Sequence, residues 1–148
     1  MLEIKIRREA GCEDIALPEY KSEGASGMDL PAAVEGDTLI HPGEILCVST
    51  GLRMAIPAGY EGQVRPRSGL ALKHGVGVLN APGTIDSDYR GVIGVILINL
   101  GTSPFTIRRG DRIAQLVIAP VARVEIKEAA EIENTTRNSG GFGHTGIC

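Results

Sequence analysis

Apolar and polar residues alternate along much of the chain, and a period of two marks a strand with one buried face. Leu2, Ile4 and Ile6 alternate with Glu3, Lys5 and Arg7, which predicts an N-terminal strand. Further strands are predicted over Glu44–Ser49, Thr50–Ile56, Glu61–Arg65 and Val76–Leu79. Residues Val92–Leu100 are nearly all apolar and predict a strand buried on both faces. Phe105–Ile107, Arg112–Ala119 and Val121–Lys127 complete the set. Turn chemistry separates these runs: His41-Pro42-Gly43, Pro57-Ala58-Gly59, Ala81-Pro82-Gly83 and Arg109-Gly110-Asp111. Helical periodicity appears only over Ser68–His74. Many short strands at this spacing predict an all-β fold, an antiparallel sandwich, jelly roll or barrel with one short helix.

Composition narrows that picture. The chain has 148 residues, which favours a single domain. Two Phe, three Tyr and no Trp mean that the core must be aliphatic. The net charge is −3 without a block of like charge, which argues against a nucleic-acid surface but leaves room for a small anion. Cys12, Cys47 and Cys148 are far apart and odd in number, so they read as reduced thiols of a cytoplasmic protein. No apolar run approaches the length of a membrane span. The N-terminus alternates, unlike the continuous apolar core of a signal peptide.

From Thr135 the composition changes to Gly and small polar residues, too poor to pack a core. The boundary divides a β domain, residues 1–134, from a tail, residues 135–148. Two readings of the tail stay open. It is a disordered end, or a Gly-rich flap closing on a ligand, with Phe142 stacking and Arg137 pairing with an anion.

Two segments could carry chemistry. Pro66-Arg67-Ser68-Gly69-Leu70-Ala71 follows a strand and opens the helix, where free amides, Gly69 and the Arg67 fork suit phosphate oxygens. Equally, Ser68 could simply cap the helix. This is not a Walker loop, because the chain contains no G-x-x-x-x-G-K-[ST]. Asn80-Ala81-Pro82-Gly83-Thr84-Ile85-Asp86-Ser87-Asp88-Tyr89-Arg90-Gly91 lies between two apolar strands and reads as a long hairpin tip. Asp86 could serve as a general base, although both acids could instead form Asx turns. His41, His74 and His144 are scattered, and no metal cage is legible. Any hard cation would be Mg²⁺ held chiefly by substrate phosphates.

Taken together these segments resemble the trimeric dUTPase family. The match runs in order from Gly24 to Gly146. It comprises Ala25-Ser26-Gly27-Met28-Asp29-Leu30, the Pro66–Ala71 and Gly83–Gly91 segments, Gly110-Asp111-Arg112-Ile113-Ala114-Gln115-Leu116, and Arg137-Asn138-Ser139-Gly140-Gly141-Phe142-Gly143-His144-Thr145-Gly146. The resemblance implies a jelly-roll-like fold, a homotrimer with active sites at subunit interfaces, Mg²⁺, and hydrolysis of dUTP to dUMP and pyrophosphate. Asp86 matches the catalytic aspartate that orients water toward the α-phosphorus. Arg67, Ser68 and Gly69 match the phosphate-binding motif, and Gln115 a residue near phosphates and sugar. Asp29 matches an acid near the metal, outside its direct coordination. Asn80, Thr84, Ile85 and Tyr89 belong to the hairpin that would hold uracil and deoxyribose, with Tyr89 excluding a ribose 2′-hydroxyl. Arg137 matches an arginine on the γ-phosphate, and Phe142 and Gly143 the part of the flap over the base. Asn138 stands where glycine is common in the family, a position where positive φ is useful and Asn tolerates it.

Rival expectations are dCTP deaminase, a bifunctional deaminase and dUTPase, and a non-catalytic nucleotide-binding β domain.

Overall fold

The computed structural model describes residues 2–141 of the chain. Among them the elements run β1 (Lys5–Arg8), β2 (Met28–Pro31), β3 (Thr38–Ile40), β4 (Ile45–Ser49), β5 (Leu52–Ala55), β6 (Tyr60–Arg65), α1 (Ser68–His74), β7 (Val76–Val78), β8 (Gly83–Ile85), β9 (Gly94–Asn99), β10 (Phe105–Ile107) and β11 (Arg112–Pro120). All pairings are antiparallel. They form sheets β2-β11-β6-β8 and β4-β9-β7, and the pairs β1-β5 and β3-β10. The fold is all-β and jelly-roll-like, as the alternation predicts. No helix among the described residues is long and apolar enough to cross a membrane.

The core is aliphatic. Leu30, Ile40, Leu52, Val95, Leu97, Ile107 and Ile113 are fully enclosed between the sheets. Each such side chain contributes about 1.5–3 kcal/mol by leaving water. Among the described residues two polar side chains are also buried, Thr50 and Asn99. Thr50 Oγ1 donates to the Ile93 carbonyl at 2.8 Å. Asn99 Nδ2 donates to the carbonyls of Ile40 and Ser103, both at 2.9 Å, and its Oδ1 accepts from the Gly101 amide. Both side chains thus find backbone partners in the interior, as buried polar groups must.

Helix α1 occupies the predicted residues. It ends because Gly75 adopts a left-handed φ of 69°, and the Gly75 amide bonds to the Ala71 carbonyl at 3.1 Å. Its N-cap is Arg67, and no side chain caps it. Ser68 therefore does not serve as the cap.

Three expectations need correction. Val92–Leu100 is not buried on both faces: β9 alternates, with Val95, Leu97 and Asn99 inside and Ile96 and Ile98 half-buried on the other side. Val121–Lys127 is no strand; it leaves the sheet after Pro120 and lies exposed, with Val124 and Ile126 in solvent. Its alternation fits a strand, but no strand of the chain pairs with it. The N-terminal strand begins at Lys5, not at the terminus. The long hairpin takes a particular form. Its stem is β7 paired with β9, while β8, inside the excursion, pairs with β6 in the other sheet.

Candidate active site

One cluster grows from the register of β11. Gln115 stands opposite Asp29 on β2 and opposite Arg65 on β6, so three polar residues share one cross-strand row. Gln115 Nε2 donates to the Pro66 carbonyl at 3.0 Å, fixing the segment that leads into α1. Gly27 makes room for this side chain, since a Cβ there would displace the Gln115 amide oxygen. Asp29 divides its carboxylate between two guanidiniums: Oδ1 meets Arg67 Nε at 2.9 Å, and Oδ2 meets Arg112 Nη1 at 3.0 Å. Arg67 Nη1 also donates to the Arg112 carbonyl at 3.0 Å. Two positive groups against one negative leave this corner cationic. Ser68 and Gly69 lie beside it, exposed, and a Cβ on Gly69 would meet open space. The arrangement is a pre-oriented set of forked donors with room for an anion.

Arg112 stands in the Gly110–Leu116 segment, where the sequence alone assigns it no role. Its contribution depends on the bulge between Arg112 and Ala114 and on the strand opposite, which no local pattern reveals.

The second cluster is the Asp86 loop. Asp86 follows β8 directly, and the Tyr89 amide donates to the Asp86 carbonyl at 3.1 Å, so backbone closes this turn. The Asp86 carboxylate is exposed and takes part in no side-chain hydrogen bond or ion pair among the described residues. No Asx turn occupies it. Thr84, Ile85, Asp86 and Tyr89 line a cleft of about 170 Å³ with Ile93 and Gly94. A cleft below the ~300 Å³ of an ordinary ligand site suits part of a nucleotide and not the whole. Tyr89 Oη donates to the Val92 carbonyl at 3.0 Å. Gly91 leaves space for its ring, since a Cβ there would overlap the phenol. Asn80 packs beside Gly83 at the start of β8, so it belongs to the same loop.

The two clusters do not meet in one chain. In the β6–β8 pair, Ile85 stands opposite Gly62 and Gly83 opposite Val64. Asp86 is therefore at the Glu61 end of β6, while Arg67 lies beyond the Arg65 end. Six extended residues at ~3.3 Å each separate them by roughly 20 Å. The described part of the tail, residues 135–141, makes no side-chain hydrogen bond to either cluster. Arg137 Nε donates to the Gly140 carbonyl at 2.8 Å within its own turn. Asn138 there adopts φ 44°, as expected of an Asn standing in for glycine. Phe142 and Gly143 lie outside the described residues.

No three His, Cys, Asp or Glu side chains among the described residues converge as a metal cage. The oxygens of Asp29 already face arginines.

Comparison with known proteins identifies the family. The dUTPase family model matches residues 13–146. The deoxyuridine 5'-triphosphate nucleotidohydrolase of Desulfotalea psychrophila is 58% identical over 135 residues, 91% of this chain and 90% of that one. The protein of the same name from Caldanaerobacter subterraneus is 54% identical over 97% of both chains. Among solved structures, a Staphylococcus bacteriophage 80alpha dUTPase with dUPNHPP superposes with a TM-score of 0.85 at 26% identity, covering 98% of this chain and 99% of that one. A mutant dUTPase of phage phi11 of S. aureus, described as coordinating a structural Mg(II) ion, gives 0.79 at 24% identity over 89% of this chain and 99% of that one. The segments that carry the arginine cluster and the Asp86 loop lie within the matched region, and the chain belongs to the dUTPase family.

Proposed function

We propose that this protein is a dUTP diphosphatase, hydrolysing dUTP to dUMP and pyrophosphate at sites assembled from neighbouring chains of a homotrimer. Its relatives bear the name of that activity, and the phage relative was solved with dUPNHPP. The observation that carries the assembly is the separation of Asp86 from Arg67. A base and a phosphate-binding arginine ~20 Å apart cannot act on one α-phosphorus, so the Asp86 loop of one chain faces the arginine corner of another. Apolar surface supports such packing. Ile45 is 54% exposed and pairs across the sheet with Ile98, beside Cys47 and Ile96. The arm beyond Pro120 also exposes Val124 and Ile126. Covering that much apolar surface favours association.

In this reading Asp86 takes the proton of the attacking water, which approaches the α-phosphorus opposite the leaving pyrophosphate. Arg67, Ser68 and Gly69 bind phosphate oxygens, and Gln115 lies close to phosphate and sugar. Asp29 keeps Arg67 and Arg112 aimed before substrate arrives, so little reorganisation is left for the reaction. The hairpin from Asn80 to Tyr89, with Thr84 and Ile85, reads uracil and deoxyribose. Cytosine would exchange a donor for an acceptor and leave buried groups unpaired, a mismatch that can discriminate by ~10⁴. Arg137 reaches the γ-phosphate, and Phe142 and Gly143 complete the flap. The donor set suits Mg²⁺ held by the triphosphate itself, with Asp29 near its waters; the ion would neutralise phosphate charge. The free thiols of Cys12 and Cys47 suit a cytoplasmic protein. The reading includes neither nucleic acid nor membrane as a partner.

Pyrophosphate release from dUTP, dCTP, dTTP and UTP, with and without Mg²⁺, tests the activity. Only dUTP should turn over well, and ammonia from dCTP would favour the deaminase instead. Asp86→Asn should lower kcat about 10²–10⁴-fold while dUTP binding persists. Unchanged turnover would remove Asp86 from its role.

A further inference from the structure

A cavity of about 440 Å³ lies apart from the arginine corner and reaches the Asp86 loop only through Arg90. It lies against the paired strands β1 and β5, and is lined by Lys5, Arg7, Glu9, Arg53 and Arg90 among others. In the β1–β5 register Arg7 stands opposite Arg53, two like charges side by side. Glu9 relieves the crowding through a forked pair with Arg53, Nε to Oε1 at 2.5 Å and Nη2 to Oε2 at 3.0 Å. That fork leaves one guanidinium nitrogen over. Arg53 Nη1 donates to the Arg90 carbonyl at 2.9 Å.

Arg90 belongs to the Asp86 loop. Its own guanidinium folds back onto the carbonyls of Ser87 and Tyr89, at 2.7 and 2.8 Å. Three residues later the Ile93 amide donates to the Leu52 carbonyl at 2.9 Å. The stretch Arg90–Ile93 is thus fastened to β5 at both ends, by Arg53 and by Leu52. Between these fastenings sits Val92, whose carbonyl accepts the Tyr89 phenol. The Ile93 end is held further through its carbonyl, which accepts from the amide and the hydroxyl of Thr50, whereas the Arg90 carbonyl is held to β5 by Arg53.

We propose that Arg53, braced by Glu9, is a positioning residue for sugar selection: by gripping the Arg90 carbonyl it fixes the Tyr89 ring against the deoxyribose. The inference rests on the reading of Tyr89 given above. Arg53 touches no substrate and acts through the loop. Leucine at this position would keep a β-compatible side chain in β5 but abolish the grip. Lysine would keep one donor and lose the fork with Glu9. Glu9→Gln would retain a neutral partner but weaken the brace.

The test is the ratio of kcat/KM for dUTP over UTP in the full-length protein, with thermal melting as a control for folding. Arg53→Leu should lower that ratio about tenfold, chiefly through a higher KM for dUTP and better use of UTP. Arg53→Lys should recover part of the ratio, and Glu9→Gln should fall between wild type and Arg53→Leu. A ratio unchanged in Arg53→Leu and Glu9→Gln, with only the melting temperature lowered, would overturn the proposal and leave a structural ion pair. Tyr89→Ala separates this failure from failure of the underlying reading. If Tyr89→Ala lowers the ratio and the Arg53 and Glu9 variants do not, the positioning role alone is wrong. If Tyr89→Ala leaves the ratio intact, the sugar reading falls and the proposal with it.

Discussion

Asp29 spends both carboxylate oxygens on arginines, and this decides what its neighbours can do. Arg112 is the more exposed partner, its side chain 54% accessible against 27% for Arg67. Removing Arg112 would leave Asp29 to bear on Arg67 alone and cancel most of the positive charge meant for phosphate. Arg112→Ala should therefore raise KM for dUTP about tenfold, the cost of one charged hydrogen bond, with a smaller change in kcat. Steady-state kinetics would check this, and an unchanged KM would reduce Arg112 to a structural role. Arg67 and Asp86 are candidates from local chemistry, a helix start beside a forked donor and a carboxylate on a turn. Asp29 enters only through the resemblance to the family. Sequence reasoning did not assign Arg112 or Arg53, whose roles depend on which residue a neighbouring strand places beside them.

The elements most legible in the sequence were those whose determinants are local. Helix α1 has a glycine at its left-handed end, and β10 is a short apolar run; both occupy the expected residues. The arm beyond Pro120 departs from its alternation because alternation specifies a strand but not the edge it pairs with. The continuous apolar run of β9 departs from its expected burial for a related reason. One of its faces is covered by the core, and the other stays half-open in the single chain. Asn99 ends that strand and ties it to Ile40, Ser103 and Gly101. Asn99→Ala would strand buried backbone groups without partners, at about 2–4 kcal/mol. Urea unfolding should report that loss without a change in the m-value.

Across the whole molecule, two exposed ion pairs fasten the N-terminal stretch to the body. Arg53 holds the Glu9 carboxyl below its ordinary value, and Arg109 does the same for Asp14, bonding both oxygens at 2.7 Å. A carboxyl with a lower pKa folded than unfolded contributes its full stabilisation above the ordinary values of 4.5 and 3.8. That contribution disappears as pH falls through the lower folded values. The melting temperature should stay level from neutrality to about pH 5 and decline below about pH 4. The double variant Glu9→Gln with Asp14→Asn should flatten that acid limb, and an equally steep limb would show that the pairs contribute nothing.

The central claim is that one active site draws on two chains, Asp86 from one and Arg67 from its neighbour. Subunit mixing tests it most directly. Asp86→Asn and Arg67→Ala proteins, each nearly inactive alone, are unfolded together in equal amounts and refolded. If each site pairs the Asp86 loop of one chain with the arginine corner of the next, one site in four on average receives both intact residues. The mixture should then regain about a quarter of wild-type turnover. Activity that stays at the level of the separate variants, in trimers shown by mass to be mixed, would place both residues in the same chain's site and contradict the account.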